Sequence, residues 1–456
     1  MSEDKVKPFG MRDKLGYMFG DFGNDFTFIF SSMLLMKFYS DVMGIDTALI
    51  GTMMMVARFV DAFTDITMGQ IADRSSPNKK GKFLKWILYM CVPVALSSFL
   101  MYATWFRNFP LYFRIFWMFF TYILWGSIFY TSINIPYGSM ASAISPEPKH
   151  RAELSNYRSI GAALAGMIIG VVLPLVVFYK DENGNEVLSG KRVTFAALLC
   201  SIGAVICYLL CYNLVTERIH IKEKTEHFSF GTLFVKLIRN KALLGIVAAT
   251  VCMLLVQLTL SQMVTYLFPN YFRNTVAQSA AGLIGVIITL ICAAFTVKLS
   301  EKFGRKNLAI VSSLFGSAVF LVAFFLKTES AWVFVFLYAL SYVGLAVFSL
   351  ICWAMITDVI DDTEVQTGSR DDGTIYAVYS FSRKLGQALS SGVTGYLLNY
   401  IGYSQDTAFD ENVTRGIYDI TCVVPAIGYL LLAFVLDFLY PLTTERVQEN
   451  AKKLKR

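Results

Sequence analysis

Apolar segments of twenty or more residues recur along the whole chain. Each is long enough to cross a hydrocarbon core about 30 Å thick. Of the 456 residues, 55% are hydrophobic and only 16% are charged, whereas soluble domains carry about 25% charged residues. Lipid leaves no partner for an unpaired backbone N–H or C=O, so such segments fold as helices. The sequence therefore predicts an all-α membrane protein with twelve spans, near residues 15–40, 47–72, 85–106, 112–137, 153–179, 193–214, 242–270, 280–299, 307–326, 331–357, 375–401 and 417–440.

The distribution of positive charge predicts how these spans are oriented. Most of the 40 Lys and Arg residues lie in the N-terminal arm, in alternate loops and in the C-terminal tail. By the positive-inside rule both termini are expected in the cytoplasm, and the protein in the cell membrane. The first fourteen residues are polar, so we expect no cleavable signal peptide. Topology thus accounts for the net charge of +7 without a nucleic-acid partner.

Histidine and cysteine give no sign of a metal or redox centre. The three histidines lie in predicted loops, and the eight cysteines lie inside apolar segments, where they are interpreted as small buried hydrophobic residues. We therefore expect no cofactor other than a coupling ion, and carboxylates must bind any ion that crosses.

A long polar stretch and a short repeat divide the chain in two. We predict an N-terminal six-helix bundle over residues 1–215, a cytoplasmic central loop over 216–241, a C-terminal bundle over 242–441 and a cytoplasmic tail over 442–456. Asp73 after span two and Glu301 after span eight, each followed by basic residues, lie half a chain length apart. Repeated halves are typical of secondary transporters, although any short cytoplasmic loop is basic.

Span two carries three charges where hydrocarbon is expected. Arg58, Asp61 and Asp65 are spaced three and four residues apart, so a helix aligns them on one face. A charge at mid-bilayer costs about 2.5–3.5 kcal/mol on the insertion scale, and such residues usually bind an ion or line a pathway. The two carboxylates, with the hydroxyl of Thr64, suit Na⁺ or a proton equally. A salt-bridged face that only joins helices is the alternative.

Polar residues on spans one and four suit a carbohydrate. Asp25 follows a run of glycines that favours close helix packing, and its carboxylate could accept hydrogen bonds from sugar hydroxyls. Alternatively, Asp21, and with it Asp25, could be solvated near the cytoplasmic entrance. Tyr130 and Asn134 on span four offer an aromatic face and an amide, which could also serve as ordinary helix contacts. Lys37, near the outer end of span one, is expected to snorkel.

Several further charges are candidates for binding or gating. Arg158 and Lys384 lie inside predicted spans, where they need carboxylate partners, although Arg158 could instead snorkel. An acidic cluster after span ten is predicted either to form gate-closing ion pairs with basic loops of the other half or to be solvated. The candidates for charge balance or gating are Arg58, Asp73, Asp358, Asp361 and Arg370.

The ordered motifs resemble a known family. They include Gly20-Asp-Phe-Gly23-Asn-Asp25, Ala57-Arg58-Phe-Val-Asp61-Ala-Phe-Thr-Asp65, Tyr130-Thr131-Ser-Ile-Asn134-Ile-Pro136-Tyr137-Gly138 and Arg158-Ser-Ile-Gly161. Together they resemble the glycoside-pentoside-hexuronide:cation symporters of the major facilitator superfamily, from span one to the end of span eleven. The resemblance implies twelve transmembrane helices in two pseudo-symmetric six-helix bundles.

The resemblance also implies roles for individual residues. The implied cation site consists of Asp61, Thr64, Asp65 and Thr131. The implied sugar site consists of Asp25, Tyr130, Asn134, Arg158, Ser380 and Lys384. A galactoside-transporting member has aspartate in place of Asn134 and tryptophan in place of Gly138 and Ser349. These departures favour a different glycoside, a pentoside or a hexuronide.

The sequence thus leads to one main hypothesis and two alternatives. We expect a monomeric carrier, surrounded by lipid, that couples Na⁺ or H⁺ to sugar uptake by alternating access. A lipid or lysolipid carrier of the same fold would have an apolar cavity, unlike the polar residues on spans one, four, five and eleven. A polytopic enzyme or receptor is the other alternative. No His, Ser or metal-ligand cluster at one membrane depth supports an enzyme.

Overall fold

The computed structural model describes residues 8–78, 80–219, 240–368 and 372–454, and it is almost entirely helical. The elements are α1 Met11–Asp41, α2 Thr47–Arg74, α3 Leu84–Met101, α4 Leu111–Ile123, α5 Thr131–Ile144, α6 Pro148–Val177, β1 Phe178–Lys180, β2 Glu186–Leu188, α7 Gly190–Leu214, α8 Lys241–Tyr266, α9 Thr275–Phe303, α10 Arg305–Leu326, α11 Ala331–Thr367, α12 Asp372–Tyr400, α13 Glu411–Phe438 and α14 Thr444–Lys453. A π-helical turn, Leu124–Tyr130, joins α4 to α5 in one continuous span, and a second, Leu267–Tyr271, extends α8.

This arrangement confirms the prediction of an all-α membrane protein. Counting α4 and α5 as one, the described residues form twelve long helical spans. Ten of them are apolar enough over 18 or more residues to cross a membrane. The other two, α1 and α12, have 31 and 29 residues and are long enough, but they are more polar. They carry Asp25 and Lys384.

Two predicted boundaries were wrong. Asp358 to Glu364 were placed in a loop after span ten, whereas α11 continues to Thr367. Span five begins at Pro148 instead of residue 153, so Arg158 lies almost three helical turns from the helix start instead of one. Both errors arise because polar residues at a helix end lower the hydropathy without ending the backbone hydrogen bonding.

The chain forms two compact units, Met1–Asn183 with Val187–Glu226, and Gly184–Glu186 with His227–Arg456. In the N-terminal unit α1 packs against α6 and α7. Gly23 makes this packing close, because a Cβ there would lie 3.2 Å from the backbone oxygen of Ala204. The predicted close approach at the glycines of span one is confirmed.

Glycines also allow close helix packing in the C-terminal unit. α10 packs against α11 and α13. Cβ atoms at Gly316 and Gly344 would each come within 3.0 Å of backbone oxygen, from Ser341 and Ser312 respectively. The Tyr429 hydroxyl then donates to the Ser341 carbonyl at 2.8 Å. These contacts hold three helices of this unit together.

Candidate functional site

The charged stripe of α2 lies inside the N-terminal unit. Arg58 and Asp61 are buried, with 9% and 3% of their surface exposed. Arg58 Nη1 donates to Asp61 Oδ2 at 2.8 Å, and Nη2 donates to the Tyr122 hydroxyl at 3.1 Å. The guanidinium also lies 5.5 Å from the ring centroid of Phe28 on α1. One carboxylate of the stripe is therefore neutralised within the stripe, as the spacing predicts.

Hydroxyl groups of span four contact both aspartates. Ser127 Oγ donates to Asp61 Oδ1 at 2.5 Å, and Thr131 Oγ1 donates to Asp65 Oδ1 at 3.0 Å. Thr131 Oγ1 also lies 3.1 Å from the carbonyl oxygen of Gly126, a second acceptor for its single proton. The structure thus brings together three of the four predicted cation ligands, Asp61, Asp65 and Thr131.

Thr64, the fourth predicted cation ligand, has a different environment. It lies on α2 between the two aspartates, and its hydroxyl donates to the backbone carbonyl of Asp61 at 3.2 Å. The proton is therefore used within the helix, while the oxygen lone pairs stay available to a ligand.

The π-helical turn places the hydroxyls opposite the carboxylates. Ser127 lies within the turn and Thr131 directly follows it. Both contacts join residues 66 positions apart, so two neighbouring turns of α2 meet two neighbouring turns of span four in the same register. π-helical turns are rare and frequently occur at functional sites.

A short chain of hydrogen bonds ends at Asn134, a predicted sugar ligand. Asn24 on α1 donates from Nδ2 to Asn134 Oδ1 at 3.4 Å. The Tyr208 hydroxyl on α7 donates to Asn24 Oδ1 at 2.8 Å. Asn24 is 1% exposed, so this chain of three polar groups ties α1, α5 and α7 together. Asn134 itself is half-buried.

Arg158 pairs with α1. Its Nε donates to Asp21 Oδ1 at 2.9 Å, and its guanidinium lies 5.5 Å from the Tyr137 ring centroid. Tyr137 in turn stacks on Tyr17 with centroids 4.6 Å apart. The Arg158 side chain remains 42% exposed, while the Asp21 side chain is 8% exposed. The predicted carboxylate partner of Arg158 is therefore on span one, and Asp21 is buried instead of solvated.

The remaining predicted sugar ligands fall in both units. In the N-terminal unit, Asp25 is half-buried one turn from Asp21, and Tyr130 stacks against Phe28 with centroids 5.9 Å apart. In the C-terminal unit, Ser380 and Lys384 lie four residues apart on one face of α12. Ser380 is exposed and Lys384 half-buried.

The predicted gating residues have varied environments. Asp73 is exposed at the end of α2, where its backbone oxygen accepts from Lys82 Nζ. Asp358 is paired with Arg305 at 2.5 Å in its own unit, whereas the sequence predicts a partner in the other half. Asp361 is half-buried on α11. Arg370 lies outside the described residues, so its predicted role stays a prediction.

The snorkelling predicted for Lys37 was wrong. This lysine is 1% exposed, and its Nζ pairs with Asp41 one turn later at 3.0 Å. The Ser40 hydroxyl donates to the same carboxylate at 2.7 Å. The aspartate, at spacing i+4, was the available signal for an internal ion pair.

The sequence gives no prediction for Ser127 and Asn24, and for Asp21 it offers only the solvated alternative. Ser127 gives no signal, because serine is common in apolar helices and its approach to Asp61 depends on the π-helical turn. Asn24 and Asp21 were visible in the glycine-rich motif of α1. They lie three residues apart, so a helix places them on one face, and polar side chains inside a membrane span need partners on neighbouring helices.

Comparison with known proteins identifies the family. A family model described as "MFS/sugar transport protein" matches residues 16–444. The "uncharacterized symporter YjmB" of Bacillus subtilis (strain 168) is 31% identical over 450 residues, which are 98% of this chain and 95% of that protein. The "glucuronide carrier protein homolog" of Escherichia coli (strain K12) is 28% identical over 447 residues, covering 96% and 94%.

A solved structure agrees on the fold. The crystal structure of a D-xylose-proton symporter superimposes with a TM-score of 0.65 at 13% identity, covering 94% of this chain and 97% of that one. The two relatives are named as transporters and not as enzymes. With the motifs of spans one, two, four and five, these matches establish that the chain belongs to the glycoside-pentoside-hexuronide:cation symporter family of the major facilitator superfamily.

Proposed function

We propose that this protein is a monomeric symporter that imports a hexuronide together with a monovalent cation, Na⁺ or H⁺. The observation that carries the cation half of the proposal is the pair of hydroxyl–carboxylate contacts, the buried one from Ser127 to Asp61 and the partly buried one from Thr131 to Asp65. Each of these two helical turns brings one hydroxyl oxygen to a carboxylate, and a cation would bind to these oxygens. The termini are proposed to lie in the cytoplasm, as the loop charges predict.

The charge balance of the stripe supports cation binding. Arg58 contributes one positive charge against the two negative charges of Asp61 and Asp65. Hydroxyl donors stabilise a carboxylate without cancelling its charge, so a cation bound beside these hydroxyls would balance negative charge on the carboxylates. A bound Na⁺ or proton removes that charge and lowers the free energy of the loaded carrier. Loading would therefore favour the reorientation that alternating access requires.

Two features support an anionic sugar. Asn134 is neutral where a galactoside-transporting member has an aspartate, so repulsion of a sugar carboxylate is reduced. The partly exposed Arg158 guanidinium offers donors beyond those used by Asp21. The relative named as a glucuronide carrier homolog, similar over almost the whole chain, fits the same class.

Transport by purified protein in liposomes tests both halves. Uptake of methyl glucuronide, methyl glucoside and methyl xyloside is measured with an inward Na⁺ gradient, an inward proton gradient or neither. We expect methyl glucuronide to accumulate above its external concentration when one cation gradient is imposed. We expect Asp61→Asn and Asp65→Asn to abolish that accumulation, because each removes a negative charge that the bound cation neutralises.

Asp46→Asn is the matched control on the same helix. Asp46 caps α2 by accepting from the backbone N–H groups of Ala48 and Leu49, at 2.9 and 3.3 Å, and asparagine is an equally good cap. We expect it to transport normally. Accumulation by both stripe variants at the wild-type level would contradict the cation site. Uptake restricted to the neutral glycosides would contradict the hexuronide assignment alone.

A further inference from the structure

Ser127 makes the shortest contact at the proposed cation site. Its Oγ lies 2.5 Å from Asp61 Oδ1, and the residue is 2% exposed. The other oxygen of the same carboxylate, Oδ2, accepts from Arg58. Ser127 thus fixes the orientation of the oxygen that Arg58 leaves to other partners.

The contact repeats the geometry of a predicted ligand. Thr131, four residues later, makes the equivalent contact with Asp65, four residues after Asp61. Gly126 leaves room beside this pair, since a Cβ there would lie 3.8 Å from Asp61 Oδ1. Ser127 is therefore related to Asp61 as Thr131 is related to Asp65, one helical turn away.

We propose that Ser127 is an additional oxygen ligand of the coupling cation, and that this cation is Na⁺. The inference rests on the proposed function, because it assumes that Asp61 and Asp65 hold the cation. It adds to that function a residue and a choice of ion, neither of which the family motifs provide.

The chemistry of a hydroxyl supports this choice. Serine has one proton and two lone pairs, so Ser127 can donate to Asp61 and still direct a lone pair at a cation. A metal cation that loses its water needs several oxygen ligands, whereas a proton needs only one carboxylate oxygen. Two hydroxyls opposite two carboxylates therefore add oxygen ligands for Na⁺, whereas a proton on one carboxylate would not use them.

The two oxygens of the Asp61 carboxylate have different partners. Arg58 contacts Asp61 through Oδ2. From span four, Tyr122 and Tyr130 face the guanidinium with neutral phenols. Asp65 adds the second negative charge one turn away. A ligand near Asp61 Oδ1 would thus lie on the side of the carboxylate away from the guanidinium.

Calorimetric titration of the purified protein with NaCl tests the inference. Choline chloride keeps the ionic strength constant, and the pH is held at one value. We expect Ser127→Ala to weaken Na⁺ binding about tenfold, which corresponds to about 1.4 kcal/mol. Ser127→Cys keeps nearly the same volume but replaces oxygen with sulfur, a poor ligand for Na⁺, so a similar loss is expected. Ser127→Thr should retain most of the affinity.

Ser132→Ala is the matched control, because that hydroxyl donates to the carbonyl of Ile128 in its own helix at 2.6 Å. It should bind Na⁺ as wild type does. Equal affinities for Ser127→Cys and Ser132→Ala would overturn the ligand role of Ser127. A wild-type protein that accumulates sugar with a proton gradient but binds no Na⁺ would overturn the choice of ion. That result would leave the proposed symport intact, whereas undiminished accumulation by Asp61→Asn and Asp65→Asn would overturn the symport itself.

Discussion

Two pairs of aspartates, each spaced four residues apart on one helix, have different partners. In the N-terminal unit, Asp61 and Asp65 accept from hydroxyls of span four, and one arginine serves the pair. In the C-terminal unit, Asp358 and Asp362 on α11 each have their own arginine, Arg305 and Arg446. Two guanidinium groups contact the second pair, whereas one guanidinium and two neutral hydroxyls contact the first. The charge of the partners, and not the spacing of the acids, separates a candidate cation site from a structural ion pair.

Removing an arginine from the structural pair should have a large effect on stability. Asp362 has a side chain 2% exposed, and it accepts from Arg446 Nε and Nη2 at 3.0 and 3.1 Å. Arg446→Met would leave this buried charge with amide donors from Asn450 and Gln366. We expect a loss of about 2–3 kcal/mol, because a buried charge loses its counter-ion. The midpoint of thermal unfolding in detergent measures it.

Arg415→Met is the control for that variant. Arg415 pairs with Glu411 at 2.5 Å in the same unit, but both side chains are more than 60% exposed. An exposed pair contributes about 0–1 kcal/mol, so this midpoint should hardly move. Adding Asp362→Asn to Arg446→Met should recover part of the loss. Equal effects of the two Arg→Met changes would contradict the structural role of Arg446.

The same change in the candidate cation site should respond to Na⁺. Arg58→Met leaves Asp61 beside Ser127 and Asp65, and in choline chloride we expect about 2–3 kcal/mol of destabilisation. A cation that binds the folded state restores stability, by about 2.7 kcal/mol at 100 times its dissociation constant. Thermal unfolding in NaCl and in choline chloride should therefore differ more for Arg58→Met than for wild type.

Arg446→Met provides the comparison for this result. Among the described residues, the side chains that donate to Asp362 are a guanidinium and two amides, so Na⁺ should protect Arg446→Met no more than it protects wild type. Protection beyond that of wild type in both variants, or in neither, would contradict the distinction between the two aspartate pairs.

A third acidic residue tests whether neutral donors alone define a cation site. Glu217 accepts from the backbone N–H groups of Lys82, Phe83 and Leu84, at 2.8, 2.9 and 2.6 Å. These donors form the positive end of α3, which stabilises an anion, and their N–H groups offer no lone pair to Na⁺. We expect Glu217→Ala to cost about 1–2 kcal/mol, measured as a drop in the unfolding midpoint relative to wild type that is the same in NaCl and in choline chloride.

Glu445→Ala is the matched control for Glu217. The sequence Thr216-Glu217-Arg218 recurs as Thr444-Glu445-Arg446, half a chain later. Glu445 is exposed in the first turn of α14, where a hydrogen bond from the Thr443 side chain lowers its pKa. Its removal should leave the midpoint almost unchanged. A drop in the midpoint of Glu217→Ala that differs between NaCl and choline chloride would show that the kind of donor does not mark the cation site.

These residues also show how far the sequence could predict the molecule. Twelve apolar segments and the motifs of spans one, two, four and five were sufficient for the fold and the family, because both depend on patterns along single helices. The stripe of Arg58, Asp61 and Asp65 was predictable for the same reason. The contact of Ser127 with Asp61 was not predictable, because it depends on a π-helical turn that no pattern in the sequence indicates. The partner of Asp362 was equally hidden, since Arg446 lies 84 residues away.

The smallest expected effect concerns Thr64, which the family resemblance implies as a cation ligand. Its hydroxyl donates to the Asp61 carbonyl on its own helix, whereas Thr131 donates across to Asp65. Thr64→Ala removes one hydroxyl oxygen with its two lone pairs but leaves the contacts between α2 and span four intact. We expect Na⁺ binding to weaken about two- to threefold, or about 0.5 kcal/mol, against about tenfold for Thr131→Ala. Calorimetric titration of both variants at one pH measures the difference. If Thr64→Ala weakens binding as much as Thr131→Ala, then a contact between helices does not identify the hydroxyl that contributes more to Na⁺ affinity. The cation would then lie nearer to α2 than the hydroxyls of span four indicate.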